Sequence, residues 1–160
     1  MLSLHQIHEL EVEEDYPAAI DALEERLAAA PNDREVLIRL GFNLWYAVVE
    51  ADRMAKRLPV GRYAARFMAL FREHEPRLGD DADFCWAYGL GLSMFWYEFP
   101  GATEELGDAM LARAKELDPF YENLLCEGSQ EATAERFRGR GILASYYGAV
   151  DADSHDGLAE

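Results

Sequence analysis

Apolar residues recur at intervals of three and four along most of the chain, the spacing of one face of an α-helix. Before about residue 140 no convincing run alternates between apolar and polar as a half-buried strand would. A first helix is predicted over Ser3 to Glu14, with Leu4, Ile7 and Leu10 on one face. Asp15 is placed to cap a second. Pro17 sits in its first turn, where a missing N–H is tolerated, and Ile20, Leu23 and Leu27 form its apolar stripe up to Pro31. Asp33 opens a third helix carrying Leu37, Leu40, Gly41, Leu44 and Val48, with no stop before Leu58-Pro59, so it is expected to be long. A shorter helix comes next, from Arg62 to His74, and is broken by Pro76-Arg77-Leu78-Gly79. Asp80 or Asp81 caps the aromatic segment Phe84 to Phe99, which Pro100-Gly101 ends. Thr103 caps the next helix, with Glu104 and Glu105 in its first turn and Lys115 in its last, both favourable to the helix dipole, and Asp118-Pro119 closes it. Tyr121 to Cys126 and Glu131 to Phe137 read as short helices. Gly139, Gly141 and Gly148 interrupt the remaining apolar run, and Asp151 to Glu160 reads as a frayed acidic tail behind a single domain spanning 1–150.

The helices also repeat. Pro31, Pro76 and Pro119 are separated by 45 and 43 residues, and each closes a helix with a small residue 12 positions earlier: Ala19, Ala64 and Gly107. Eight positions before each proline stands a flexible apolar residue, Leu23, Met68 or Leu111. After two of the prolines an Asp-capped helix brings an apolar residue and then glycine, Leu40-Gly41 and Tyr88-Gly89. Small residues let helices approach closely where they cross. Ala112-Arg113-Ala114-Lys115-Glu116-Leu117-Asp118-Pro119, the run from Tyr16-Pro17-Ala18-Ala19-Ile20 to Pro31, and Leu40-Gly41 resemble the tetratricopeptide repeat family, over roughly residues 15 to 120. The spacing is longer than the family's repeat of about 34 residues. The small position before the proline is filled by Arg26 and Phe71 as well as Ala114, so the repeat is a degenerate, lengthened one. The resemblance implies an all-α fold of antiparallel helical hairpins stacked as a short α-solenoid, and a scaffold that holds protein or peptide ligands with no shared chemistry.

Two helices carry a second stripe beside the packing face. Glu35, Ile38, Phe42 and Trp45 line one, and Asp83, Trp86, Leu90 and Ser93 line the other, while Cys85, Tyr88, Gly89, Leu92 and Trp96 are assigned to packing. By the resemblance the second stripe lines a concave groove. The alternative is that it packs on the adjoining repeat, since a helix apolar all round is usually buried.

Charge sharpens the functional reading. Of 160 residues 31 are acidic and 15 basic, for a net charge of -16, while half the chain is hydrophobic and rich in Phe, Tyr and Trp. Nucleic acid is a poor partner for such a chain, because binding it depends on neutralising phosphates with Lys and Arg, and an anionic membrane surface is disfavoured for the same reason. The longest uncharged stretch, Phe84 to Tyr97, has 14 residues, short of the ~20 that a membrane helix requires. The N-terminus does not read as a secretory signal, and Cys85 and Cys126 read as free thiols of a reducing cytoplasm. Residues 1–35 hold ten acids and two arginines, whereas residues 50–80 hold five acids and seven bases. The cluster Glu9, Glu11, Glu13, Glu14 and Asp15 is therefore expected either to steer a basic protein partner or to be a solvated face.

Candidate chemistry is thin. His5 and His8 lie one helical turn apart beside Glu9, a two-ligand arrangement without a third or fourth donor, so no metal is assigned. Arg136-Phe137-Arg138-Gly139-Arg140-Gly141 has arginines beside glycines that could grip phosphate or carboxylate, or else pair with the chain's own acids; it matches neither a P-loop nor a dinucleotide fingerprint. No serine sits in a nucleophile motif, and no cofactor is implied. The chain reads as a non-enzymatic protein-binding protein, specifically an acidic bacterial immunity or antitoxin protein that blocks a basic toxin domain. Its partner-binding residues are Glu9, Glu11, Glu13, Glu14, Glu35, Ile38, Phe42, Trp45, Asp83 and Trp86. The competing reading is a secretion chaperone or adaptor holding a peptide in the groove.

Overall fold

The computed structural model describes residues 1–54, 57–122 and 130–143, and every regular element among them is helical. The helices are α1 (Leu4–Val12), α2 (Tyr16–Ala29), α3 (Arg34–Val49), α4 (Val60–Leu78), α5 (Ala82–Phe95), α6 (Glu104–Leu117) and α7 (Gln130–Phe137). Their starts are set by local chemistry. Ser3 and Gln6 form a reciprocal capping box at α1, and Asp15, Asp33, Asp81 and Thr103 each accept a backbone N–H three residues on, at the starts of α2, α3, α5 and α6.

Helix ends match the sequence expectation less closely. α3 stops at Val49 instead of running toward Leu58, because the chain tightens into a 3-10 turn at Ala51–Arg53. Arg53 pairs there with Glu50 and reaches the Tyr46 hydroxyl at 3.4 Å. α4 starts earlier than expected and passes through Pro76, ending only at Leu78. A proline so close to a C-terminus disrupts only the final turn, and buried Leu78 anchors that turn to the core. Pro31 and Pro119 do lie just beyond α2 and α6, so the three prolines of the repeat are not equivalent. α5 ends at Phe95 and continues as a 3-10 turn over Trp96–Glu98, another helix shorter than its span of Phe84 to Phe99 would suggest. Of the short helix expected over Tyr121 to Cys126 the described part is Tyr121 and Glu122, and Tyr121 ends a 3-10 turn that starts at Pro119; residues 123–129 and the tail from Asp151 to Glu160 lie outside the described residues.

α3 is the centre of the molecule. Almost every side chain from Val36 to Val48 is buried, because α2, α4 and α5 all pack on it. Gly41 is what lets α5 approach: a methyl there would overlap the ring of Tyr88, whose hydroxyl donates to the Leu37 carbonyl at 3.1 Å. The tightest pairing is α5 against α6. It crosses at two glycines, since a methyl on Gly107 would overlap the Ser93 backbone and one on Gly89 would lie 2.9 Å from the Met110 Cβ.

Contacts fix the direction of each helix. Glu24 of α2 pairs with Arg66 of α4, and Leu27 and Pro31 line one hollow with Leu70 and His74, so α2 and α4 run the same way. Arg34 meets Asp81 and Asp83, while Trp45 stacks on Phe95 at 6.1 Å, so α3 and α5 also run together. The array therefore has two distinct ends. One, the aromatic end, gathers the α1–α2 turn, the end of α3, the start of α4 and the α5–α6 turn, tied by Tyr16 against Tyr46 at 5.4 Å. The other, the paired end, gathers the start of α1, the α2–α3 and α4–α5 turns, the end of α6 and α7.

Candidate protein-binding surface

At the paired end, arginines turn inward onto carboxylates of this same chain. Asp83, at the start of α5, accepts from Arg34 at 2.7 Å, from Arg136 at 2.6 Å and from the Tyr121 hydroxyl, and Arg140 stands 3.7 Å away. Arg136 also reaches Asp118 at 2.8 Å and lies over the rings of Phe120 and Tyr121, at 4.5 and 5.0 Å. Arg140 grips Glu35 with both ends of its fork, at 2.9 and 2.7 Å. Burial alone would raise the Asp83 carboxyl. The hydrogen bonds from Tyr121, Arg34 and Arg136 outweigh it and hold Asp83 well below the usual carboxylate range. The arginine and glycine segment from Arg136 to Gly141 thus meets the protein's own acids, one of the two outcomes its composition allows.

Four of the residues expected to contact a partner are instead inside. Ile38, Phe42 and Trp45 are core side chains: Trp45 packs on Gly91 and Phe95 of α5, and the Phe42 and Trp45 rings meet edge to face at 4.8 Å. Glu11 is only 2% exposed and Arg39 only 1%. Glu11 forms an ion pair with Arg39 and accepts from the Asn43 amide at 2.7 Å. Gly141 closes over this pair, in a left-handed conformation with φ of 52° and so near that a methyl would overlap the Glu11 carboxylate. Burial is the strongest influence on Glu11 and raises its carboxyl, against the opposing pull of Arg39 and Asn43. Glu35 and Asp83 belong to the arginine cluster, and Trp86 is half-buried, stacked on Tyr121 at 4.8 Å. Glu9, Glu13 and Glu14 are exposed.

The aromatic end presents side chains that helical periodicity assigns to packing or does not single out. Met94 is 51% exposed, Trp96 40% and Tyr97 63%, although the spacing puts Trp96 on the packing face. With Val12 and Val60 they account for every large apolar side chain this exposed among the described residues except Met1. A signal is present in the sequence: Phe95-Trp96-Tyr97 is a run of three large rings, and successive positions of a helix point about 100° apart, so one core cannot receive them all. Phe95 turns in onto Trp45, and buried Phe99 packs on Phe67 at 4.6 Å; Trp96 and Tyr97 face out between them, edge to face at 5.9 Å.

The corner that carries them is held firmly. Arg72 donates to the Pro100 carbonyl at 3.1 Å, Gly101 makes the turn with φ of 76°, Thr103 caps α6, and Ser93 bonds to Asp108 across the helix crossing. Trp96 to Ala102 line a shallow hollow of about 440 Å³. The charge around it is mostly negative: from Met94 to Ala112 there are four acids, Glu98, Glu104, Glu105 and Asp108, and no base, and Arg72 of α4 is the cation that reaches the turn, at the Pro100 carbonyl.

His5 and His8 stack at 6.4 Å, and among the described residues no group of three or more His, Cys, Asp or Glu side chains is placed to hold a metal ion. Cys85 is buried, its thiol donating to the Gly79 carbonyl at 3.2 Å, and burial pushes it up to about 11; Cys126 lies outside the described residues. No helix among the described residues is long and apolar enough to cross a membrane. Comparison with protein-family models, with curated proteins and with solved structures finds no match.

Proposed function

We propose that this protein acts by stoichiometric binding to a basic protein, as an immunity or antitoxin protein acts on a basic toxin domain, from within the cytoplasm and with no bond made or broken. The helical array is read with it as a degenerate tetratricopeptide-like solenoid. One observation carries the proposal: Arg34, Arg39, Arg66, Arg113, Arg136 and Arg140 turn their charge onto this chain's own carboxylates. With those bases engaged internally, acids such as Glu9, Glu13, Glu14, Asp21, Glu104 and Glu105 stand exposed on a chain whose net charge is -16. Such a surface attracts a cationic protein over distances longer than contact and accelerates encounter. The chaperone reading requires an open aromatic stripe, and its Phe42 and Trp45 are core residues, so no observation favours it.

The test is coexpression with a basic module encoded immediately upstream. The expected result is rescue of growth and a one-to-one complex whose association slows as salt rises. A toxic basic module that the protein neither binds nor neutralises, or association indifferent to salt, overturns the proposal.

A further inference from the structure

We infer that the α5–α6 corner is the docking site for an apolar side chain presented between basic residues on the partner's surface, with Met94, Trp96 and Tyr97 as the apolar contacts and Glu98, Glu104, Glu105 and Asp108 as the anionic rim. This inference rests on the proposed binding of a basic protein and gives that binding a location.

Three features single out the corner. The exposed side chains are of the types that dominate binding energy at protein interfaces, Trp and Tyr foremost, with adaptable Met beside them. They stand on a platform that does not need ordering: Phe95 and Phe99 anchor it from below, and Arg72, Gly101 and the Thr103 cap fix its turn. A site ordered in advance avoids much of the entropy cost of association. The charge around it then selects the occupant. A second copy of this chain would bring another four acids against the same rim, with Arg72, already engaged by the Pro100 carbonyl, as the base at the corner, a predominantly like-charge juxtaposition that costs affinity. A ligand carrying cations around an apolar centre satisfies both the rim and the hollow of about 440 Å³ lined by Trp96 to Ala102. The exposed acids of the α1–α2 turn lie at the same end and add attraction without belonging to the contact.

The probe is a labelled synthetic peptide in which leucine alternates with arginine, compared with a control in which serine replaces leucine. Binding to the full chain is followed by anisotropy and by Trp emission. The leucine peptide is expected to bind about tenfold more tightly than the serine control, and Met94→Ala with Tyr97→Ala to abolish that preference while leaving the serine control unchanged. Glu104→Lys with Glu105→Lys weakens both peptides. These positions are exposed, so the variants are expected to fold, and Trp96→Phe serves as a conservative check that retains binding. Equal binding of the leucine peptide by wild type and by the Met94, Tyr97 variant overturns the docking site while leaving capture of basic ligands standing. Failure of wild type to bind either cationic peptide overturns both. Sedimentation showing a wild-type dimer that Tyr97→Ala dissociates makes the occupant a second copy, and overturns the inference too.

Discussion

The two ends of the helix array treat charge in opposite ways. At the paired end acids are met by bases: Asp81 by Arg34, Asp83 by Arg34 and Arg136, Asp118 by Arg136, Glu35 by Arg140. At the α5–α6 corner of the aromatic end, four acids stand with no base in the same stretch, beside Met94, Trp96 and Tyr97 turned to solvent. Folding accounts for the first arrangement, because a carboxylate taken out of water must find a partner or lose its charge. It does not account for the second, since outward-facing rings add nothing to the core. The contrast teaches that net charge in this protein has two components, a balanced one that closes the fold and an unbalanced one available for recognition.

Removing one member of a buried pair should show the largest effect. Glu11→Ala leaves the Arg39 guanidinium buried without its counter-charge, and such a loss costs about 3 to 5 kcal/mol. Arg39→Met leaves the carboxylate in the same position. The double variant Glu11→Leu with Arg39→Met is expected to recover most of the stability in urea unfolding, since neither charge then needs a partner. A double variant no better than either single one breaks this account of the pair.

Asp83 sharpens the contrast through pH. Asp83→Asn removes the shared counter-charge of Arg34, Arg136 and Arg140, all partly exposed, so the expected loss is nearer about 2 to 3 kcal/mol. Because the folded protein holds the Asp83 carboxyl below its ordinary value, its stabilisation is complete above the unfolded value of about 4 and is lost as pH falls below it. Glu11 works in the other direction. Its carboxyl is raised, so the folded state takes up a proton more readily than the unfolded chain, and acid does not destabilise through it. Wild type should therefore lose stability between about pH 4 and pH 2, and Asp83→Asn should flatten that fall. An unchanged slope in the variant assigns the acid sensitivity to other groups.

How much of the fold is legible in the sequence depends on the distance over which each feature is decided. The caps at Asp15, Asp33, Asp81 and Thr103 are local, since an acceptor and a donor three residues apart suffice; three are found where the sequence places them, and of Asp80 and Asp81, between which it leaves the choice open, Asp81 is the cap. The close approaches at Gly41, Gly89 and Gly107 are legible as small residues at helical spacing. The end of α4 is not, because Pro76 signals a stop and buried Leu78 overrides it. Which stripe of α3 faces outward is undecidable from periodicity: with helices on several sides both stripes are core, and Ile38, Phe42 and Trp45 go with them. Arg140 finds Glu35 across 105 residues of chain, a pairing no local pattern encodes. Trp96 falls on the wrong face when helical spacing is extended past Phe95, into a turn that no longer obeys it.

The crossing of α5 and α6 links the two ends, and Gly107→Ala should loosen it. The added methyl meets backbone at Ser93 and not a flexible side chain, so the helices must move apart, at about 1 to 3 kcal/mol. Thermal unfolding measures the cost. If the corner is a platform fixed in advance, the same variant should weaken leucine peptide binding as well, although residue 107 is buried.

The smallest expected change in stability is at the α1–α2 turn. Glu9, Glu13 and Glu14 are exposed, so replacing them together with lysine should alter unfolding by no more than about 0.5 kcal/mol for each position. Glu11, which lies among them in sequence, is left intact because its carboxylate is locked in the core with Arg39. Encounter with a basic partner is a different matter, since the turn stands at the same end as the docking corner and contributes to the field there. Association is expected to slow several-fold at low salt and by less as salt rises, the Debye length shrinking to about 8 Å at physiological ionic strength. Dissociation should stay close to wild type, because these acids steer and do not touch. Stopped-flow mixing separates the two rates. A change confined to dissociation would place the contact at the α1–α2 turn, and the division between steering acids and docking rings would fail.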